Sequence, residues 1–127
     1  MHVLEMLSLK GKTAIVTGGA RGIGEFISTG LAEAGANLVI ASRKVENCKE
    51  VAEKLSQKHG IKAIGVKCDL GVKEDIEAMV DEAVKEFGKI DILVNNAGVT
   101  WGAPTLEFPL DGWDRVFNVN VRGVWIL

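Results

Sequence analysis

The 127-residue chain has no tyrosine, two prolines and two cysteines, and its 15 lysines and arginines are outnumbered by 17 aspartates and glutamates, for a formal net charge of −2. Each shortage excludes something. Without tyrosine there is no phenol to act as a general acid or base. Cys48 and Cys68 have neither a Cys-x-x-Cys partner nor a histidine nearby. That excludes a disulfide framework and a zinc site, and it fits a reducing, intracellular setting. The missing basic excess argues against a nucleic-acid partner. No run reaches the roughly 18 apolar residues of a membrane span. The stretch Met1 to Leu7 lacks the basic start and long apolar core of a signal peptide, so none is expected. No linker, repeat or low-complexity tract interrupts the chain, and 47% hydrophobic residues exclude disorder. One domain is expected, long enough to bury roughly two-thirds of its unfolded surface.

What the chain does have is alternation. Thr13 to Thr17 is a short apolar run, β-branched at four of its five positions, and reads as a strand buried on both faces. Residues 22–35 follow helical spacing, with Ile23, Phe26, Ile27, Leu31 and Ala34 as the inward stripe and Gly35 as the stop. Asn37 to Ala41 reads as a second strand, residues 45–59 as a helix ended by Gly60, and Lys62 to Lys67 as a third strand. Residues 73–87 form a helix ended by Gly88, and Ile90 to Asn95 a fourth strand. A Gly- and Pro-containing loop then runs from Ala97 to Pro109. A last helix starts near Leu110, and its stripe of Trp113, Val116, Phe117, Val121, Val124 and Leu127 is expected to face the core. Repeated strand–helix units of this length predict an α/β fold, a doubly wound parallel sheet with right-handed crossovers. Ligands in such sheets bind at the carboxyl ends of the strands, which is where every unusual loop of this chain falls.

The first of those loops is Thr17-Gly18-Gly19-Ala20-Arg21-Gly22-Ile23-Gly24. Gly18 permits a tight turn off the strand, and Gly22 and Gly24 let a pyrophosphate approach backbone at a helix N-terminus. A glycine turn without a ligand is the plainer alternative, weakened by the position between a buried strand and a helix. The segment resembles the TGxxxGxG motif of the short-chain dehydrogenase/reductase family. Leu9-Lys10-Gly11-Lys12, Asp69-Leu70, Asn95-Asn96-Ala97-Gly98 and the helix from Trp113 through Asn120 to Gly123 are similar to further family motifs in the same order. The resemblance implies a Rossmann-type sheet with strand order 3-2-1-4, the C-terminal strands being absent. It also implies hydride transfer between a nicotinamide cofactor and a carbonyl or alcohol.

The end of the second strand bears on which cofactor. A ribose 2′-hydroxyl wants an acid there and a 2′-phosphate wants a cation. The sequence reads Ala41-Ser42-Arg43-Lys44, and no acid follows until Glu46. Arg43 can fork onto a phosphate, Arg21 can reach it from the glycine loop, and the Ser42 hydroxyl can bond it. NADP(H) is the expected cofactor; the alternative leaves Arg43 and Lys44 as solvated residues of a helix start. By resemblance, the cofactor-binding set is Gly18, Ala20, Arg21, Gly22, Ile23, Gly24, Ser42, Arg43, Lys44, Asp69, Leu70, Asn96, Ala97 and Gly98. Within it Asp69 would accept the adenine amino group, although it can also cap the helix that starts at Lys73. Asn95 would steady the sheet. His2 and His59 are read as surface residues without chemistry.

The family's acid/base tyrosine, its lysine and its serine have no counterpart here, and Asn120, implied to help hold a water relay, is the single catalytic candidate. The final residues Trp125-Ile126-Leu127 sit in a helix without a stop signal. The expectation is therefore an NADP-binding Rossmann domain over 1–127, cut before the catalytic segment and inactive alone. The resemblance further implies a small ketone or alcohol substrate, with 3-oxoacyl compounds favoured over sugar acids and polyols by the loop Val99 to Pro104. It implies a cytoplasmic, homo-oligomeric parent enzyme, no metal and no membrane. A nucleotide-binding fragment without turnover is the competing reading.

Overall fold

A computed structural model describes all of residues 1–127. After a short helix α1 (Val3–Met6) the chain alternates: β1 (Thr13–Thr17), α2 (Gly22–Glu33), β2 (Asn37–Ser42), α3 (Val45–His59), β3 (Ala63–Lys67), α4 (Lys73–Phe87) and β4 (Ile92–Val94). A 3₁₀ turn at Thr105–Glu107 precedes α5 (Leu110–Phe117), which runs through a π-turn (Asn118–Arg122) into α6 (Gly123–Ile126). The sheet is parallel, as the strand–helix alternation predicts, and its order β3-β2-β1-β4 is the one the family resemblance implies. Every position of β1 is buried. Alternate residues of the strands feed two cores: Ala14, Leu38 and Ile40 pack with Cys48, Val51 and Leu55 of α3, whereas Ile15, Val39 and Ala41 pack with Ile76, Met79 and Ala83 of α4. Burial on both faces is why these strands read as unbroken apolar runs.

The stops at Gly60 and Gly88 adopt left-handed φ values of 68° and 78°, where a side chain would be strained. β4 covers only three of the six residues expected, and its pairing is prolonged by a side chain. Asp91 Oδ2 accepts from the Thr13 amide at 2.8 Å, while the Asp91 amide donates to Thr13 O at 2.9 Å.

Two expected core stripes are corrected in part: Leu31 of α2 and Leu127 of the last helix do pack against the cores, but the bulkiest members do not. On α2, Ile23 and Phe26 point to solvent, 73% and 80% exposed, and the buried face is Gly24, Ser28 and Ala32. The helix lies so close to the glycine loop that only small residues fit: Ser28 Oγ donates to Gly19 O at 2.9 Å. On the last helix, Trp113, Phe117 and Val121 are exposed and Trp125 almost fully so, and the buried residues are Gly112, Val119 and Gly123. The same reason holds, because a Cβ on Gly123 would strike the Leu70 carbonyl and one on Gly112 would sit 2.7 Å from the Trp101 ring. His59 is half-buried with Nε2 unpartnered rather than on the surface. His2 is exposed and caps α1.

A nucleotide-shaped cleft at the carboxyl ends of the strands

The loops leaving β1, β2, β3 and β4 surround a cleft of about 550 Å³. Of the expected cofactor residues, Gly18, Ala20, Arg21, Ser42, Arg43, Lys44, Asp69, Leu70, Asn96, Ala97 and Gly98 line it. Gly22, Ile23 and Gly24 do not. Gly22 has a φ of 56° and open space where a Cβ would be, which leaves its backbone approachable. Gly24 stands behind the loop, and a Cβ there would overlap the Gly18 carbonyl. Its lack of a side chain serves helix packing.

The glycine loop is locked to the β4 loop by Thr17 and Asn96. Thr17 Oγ1 accepts from the amides of Asn96 and Ala97, both at 3.1 Å, and donates to Val94 O at 3.2 Å. Asn96 Nδ2 donates to the carbonyls of Thr17 and Gly18, each at 3.1 Å. The side chain that steadies the sheet is therefore Asn96; the expectation for Asn95 is corrected. Asn96 has both roles because its side chain turns back onto β1 while its backbone borders the cleft.

Four cations, Arg21, Arg43, Lys44 and Arg115, line the cleft against the single carboxylate of Asp69, in a chain whose net charge is negative. Neither α2 nor α3 has a side-chain cap at its N-terminus, so amides there remain open to an anion. Such a cleft fits a dinucleotide carrying a pyrophosphate and a further phosphate. Ser42 is engaged already: its hydroxyl lies 3.3 Å from Lys44 O, it accepts from the Lys44 amide at 3.2 Å, and Cys48 Sγ stands 3.0 Å away. Burial raises the Cys48 pKa, with Ser42 opposing, so the thiol keeps its proton and can donate it to Ser42. To bond a phosphate, the Ser42 hydroxyl must turn away from the Lys44 carbonyl.

Asp69 does not cap α4, whose N-cap is Val72 with no side-chain bond; that alternative is corrected. Its Oδ1 accepts from the Gly71 amide at 2.8 Å and from Arg115 Nη1 at 3.0 Å. Burial works to raise the Asp69 pKa, but the Gly71 amide, Arg115 and the charge of Arg43 outweigh it and hold the carboxyl below its ordinary value. The Cys68 thiol beside it is pushed up to about 11 by burial, with Asp75 and Asp69 adding to the effect.

Asn120 lies outside the lining. Its Nδ2 donates to Val99 O and its Oδ1 accepts from Val99 N, both at 2.9 Å, so the amide pins the loop after Gly98. Val99, the start of the loop expected to border the pocket, is in the wall, whereas the sequence reading missed Arg115, Asn47 and Val119 there. Arg115 and Val119 are four residues apart, and that helical spacing is the one signal able to place Arg115 on the same face as Val119.

The sheet order, the glycine loop and the cleft together define a nucleotide-binding α/β protein of Rossmann type. Residues 12–127 match the family model described as short chain dehydrogenase, and the chain belongs to that family. It is 41% identical over 118 residues to the rhamnolipids biosynthesis 3-oxoacyl-[acyl-carrier-protein] reductase of Pseudomonas aeruginosa, covering 93% of this chain and 45% of that protein. To the 5-keto-D-gluconate 5-reductase of Escherichia coli K12 it is 38% identical over 123 residues, 97% of this chain and 48% of the other. Among solved structures, the Pseudomonas aeruginosa RhlG/NADP active-site complex superposes with a TM-score of 0.87 at 39% identity, over 99% of this chain and 48% of that one. The chain spans about half the length of the curated relatives it matches.

Proposed function

We propose that residues 1–127 form the NADP(H)-binding Rossmann domain of a short-chain reductase that moves hydride between the cofactor and a ketone or alcohol. The observation that carries this reading is the end of β2, where Ser42, Arg43 and Lys44 meet Arg21 across the cleft with no acid among the lining residues except Asp69. The solved NADP complex of a relative supports it. Bound there, the dinucleotide supplies the hydride. The chain's own residues do the holding. Gly22 and the open amides of α2 face the pyrophosphate, and Arg43 and Arg21 hold the 2′-phosphate. Asp69 accepts the adenine amino group. Ala97 and Gly98 leave room for the nicotinamide ribose beside the loop that Asn120 fixes.

The substrate reading is a 3-oxoacyl or similar ketone, supported by the Pseudomonas aeruginosa relative and by Trp101 among small residues in the loop after Val99. A sugar-acid or polyol substrate is the second reading, supported by the Escherichia coli relative. A homo-oligomeric parent is supported by the exposed aromatic stripe of the last helix. No helix is long and apolar enough to cross a membrane, and two free, buried cysteines suit the reducing cytoplasm.

The test is a calorimetric titration with NADPH and NADH. The chain is expected to bind NADPH more tightly, and Arg43→Ala to weaken NADPH by about 10- to 100-fold, the worth of a charge-assisted contact, with little change for NADH. NADH affinity equal to or better than that for NADPH would overturn the cofactor reading. With no phenol in the sequence, the 127 residues alone are expected to show no turnover with NADPH and a panel of ketones. Sustained turnover would overturn that.

A further inference from the structure

Arg115 sits on α5, outside every loop from which the sequence pattern predicts ligand contacts, yet it lines the cleft. Its Nη1 lies 3.0 Å from Asp69 Oδ1 and 3.3 Å from Oδ2. Oδ1 thus has two close donors, Arg115 and the Gly71 amide at 2.8 Å, whereas Oδ2 has only the longer contact and keeps acceptor capacity, in a residue that lines the cleft. The arrangement is made room for by glycine, since a Cβ on Gly71 would sit 2.7 Å from Arg115 Nη1 and 3.2 Å from Asp69 Oδ1. A second glycine, Gly123, lets the same helical rod lie against the Leu70 carbonyl. The loop Asp69–Gly71 is therefore held from the side by α5 and α6.

We propose that Arg115 is a positioning residue for base recognition: it ties one oxygen of Asp69 to the loop so that the other faces the 6-position of a bound purine and selects a 6-amino over a 6-oxo group. The inference rests on the dinucleotide reading above. Asp69 is the carboxylate that touches the base, and Arg115 acts through it. A carboxylate whose free oxygen faces a 6-oxo group meets acceptor with acceptor, so discrimination comes as much from that repulsion as from the amino bond.

The test compares NADPH with its hypoxanthine analogue, nicotinamide hypoxanthine dinucleotide phosphate, by calorimetric titration of the full chain. The wild-type chain is expected to prefer NADPH by about tenfold or more, in keeping with a hydrogen bond to a charged acceptor. Arg115→Met should pull that ratio toward one and leave the preference for NADPH over NADH unchanged. Gly71→Ala is a charge-neutral second variant. Its Cβ meets the end of the flexible Arg115 side chain and, less closely, Asp69 Oδ1, so the fold is kept while the Arg115–Asp69 contact is disturbed, and the base preference should fall here too. Arg115→Lys should restore part of it. Equal weakening of both dinucleotides by Arg115→Met, or an unchanged ratio, would overturn the proposal, as would a wild-type chain without base preference. Failure of the wild-type chain to bind either dinucleotide would instead overturn the nucleotide reading itself.

Discussion

Gly24 and Gly30 lie on the same helix, and replacing each with alanine should move stability in opposite directions. At Gly24 the new Cβ overlaps the Gly18 carbonyl oxygen and lies 2.6 Å from Asn96 Nδ2 and 2.7 Å from the Gly18 carbonyl carbon. Those neighbours cannot swing aside: two are backbone, and Asn96 is tied to β1 by its own hydrogen bonds. Overpacking of this kind costs about 3 kcal/mol. Alanine in place of glycine in a helix returns about 1 kcal/mol, leaving a net loss of about 2 kcal/mol. At Gly30 no atom lies within 4 Å of the new Cβ, and the φ is not left-handed. Only the gain of about 1 kcal/mol applies there. The variants should therefore differ by about 3 kcal/mol, a Tm separation of about 10 °C or more for a domain of this size. Circular dichroism melts of the wild-type chain and both variants measure it directly. Equal shifts of the same sign would show that α2 does not lie against the glycine loop as described.

Thr17→Val keeps the shape of a buried side chain and removes the oxygen that accepts two amides; it should cost about 2 kcal/mol or more, read as a lower urea midpoint, whereas Thr17→Ser should cost about 1 kcal/mol for the lost methyl. Asp69 is held below its ordinary pKa of about 3.9, so its charge stabilises the fold fully above that value and the contribution is lost as pH falls through the folded value. The stability gap between the wild-type chain and Asp69→Asn should accordingly narrow between pH 7 and pH 3, and a gap that stays constant would remove Asp69 from the acid limb.

The strands and the two long helices were legible because their signals are local. Thr13 to Thr17 is apolar and β-branched from end to end, and Gly60 and Gly88 mark the points where α3 and α4 must stop. The fourth strand is shorter than its apolar run suggests: Ile90 extends that run, but ladder pairing with β1 covers only Ile92 to Val94. The faces of α2 and the last helix were misread for a different reason. Apolar periodicity assumes that the bulkiest residues point inward, but here the spacing between elements is set by Gly24, Ser28, Gly112 and Gly123, which admit backbone where a large side chain would stand. The π-turn at Asn118–Arg122 had no compositional mark at all. At the site, residues on loops next to strand ends were found by position. Arg115 was not, because its partner Asp69 is 46 residues away and the pair exists only once α5 has docked.

The lock between Thr17, Gly18 and Asn96 has a consequence for how the chain comes to hold its ligand. Its two halves are 78 residues apart or more in sequence, so they meet only after a long loop has closed, a step whose entropic cost precedes any contact that rewards it. The pairing of β1 with β2 and of β2 with β3 spans much shorter stretches of chain and can form during synthesis while β4 is still within the ribosome. The glycine loop then has no partner to fix the Gly18 carbonyl. On the dinucleotide reading proposed above, capture would then report on the docking of β4 beside β1, which brings Asn96 to the Gly18 carbonyl, rather than on formation of the glycine-rich turn.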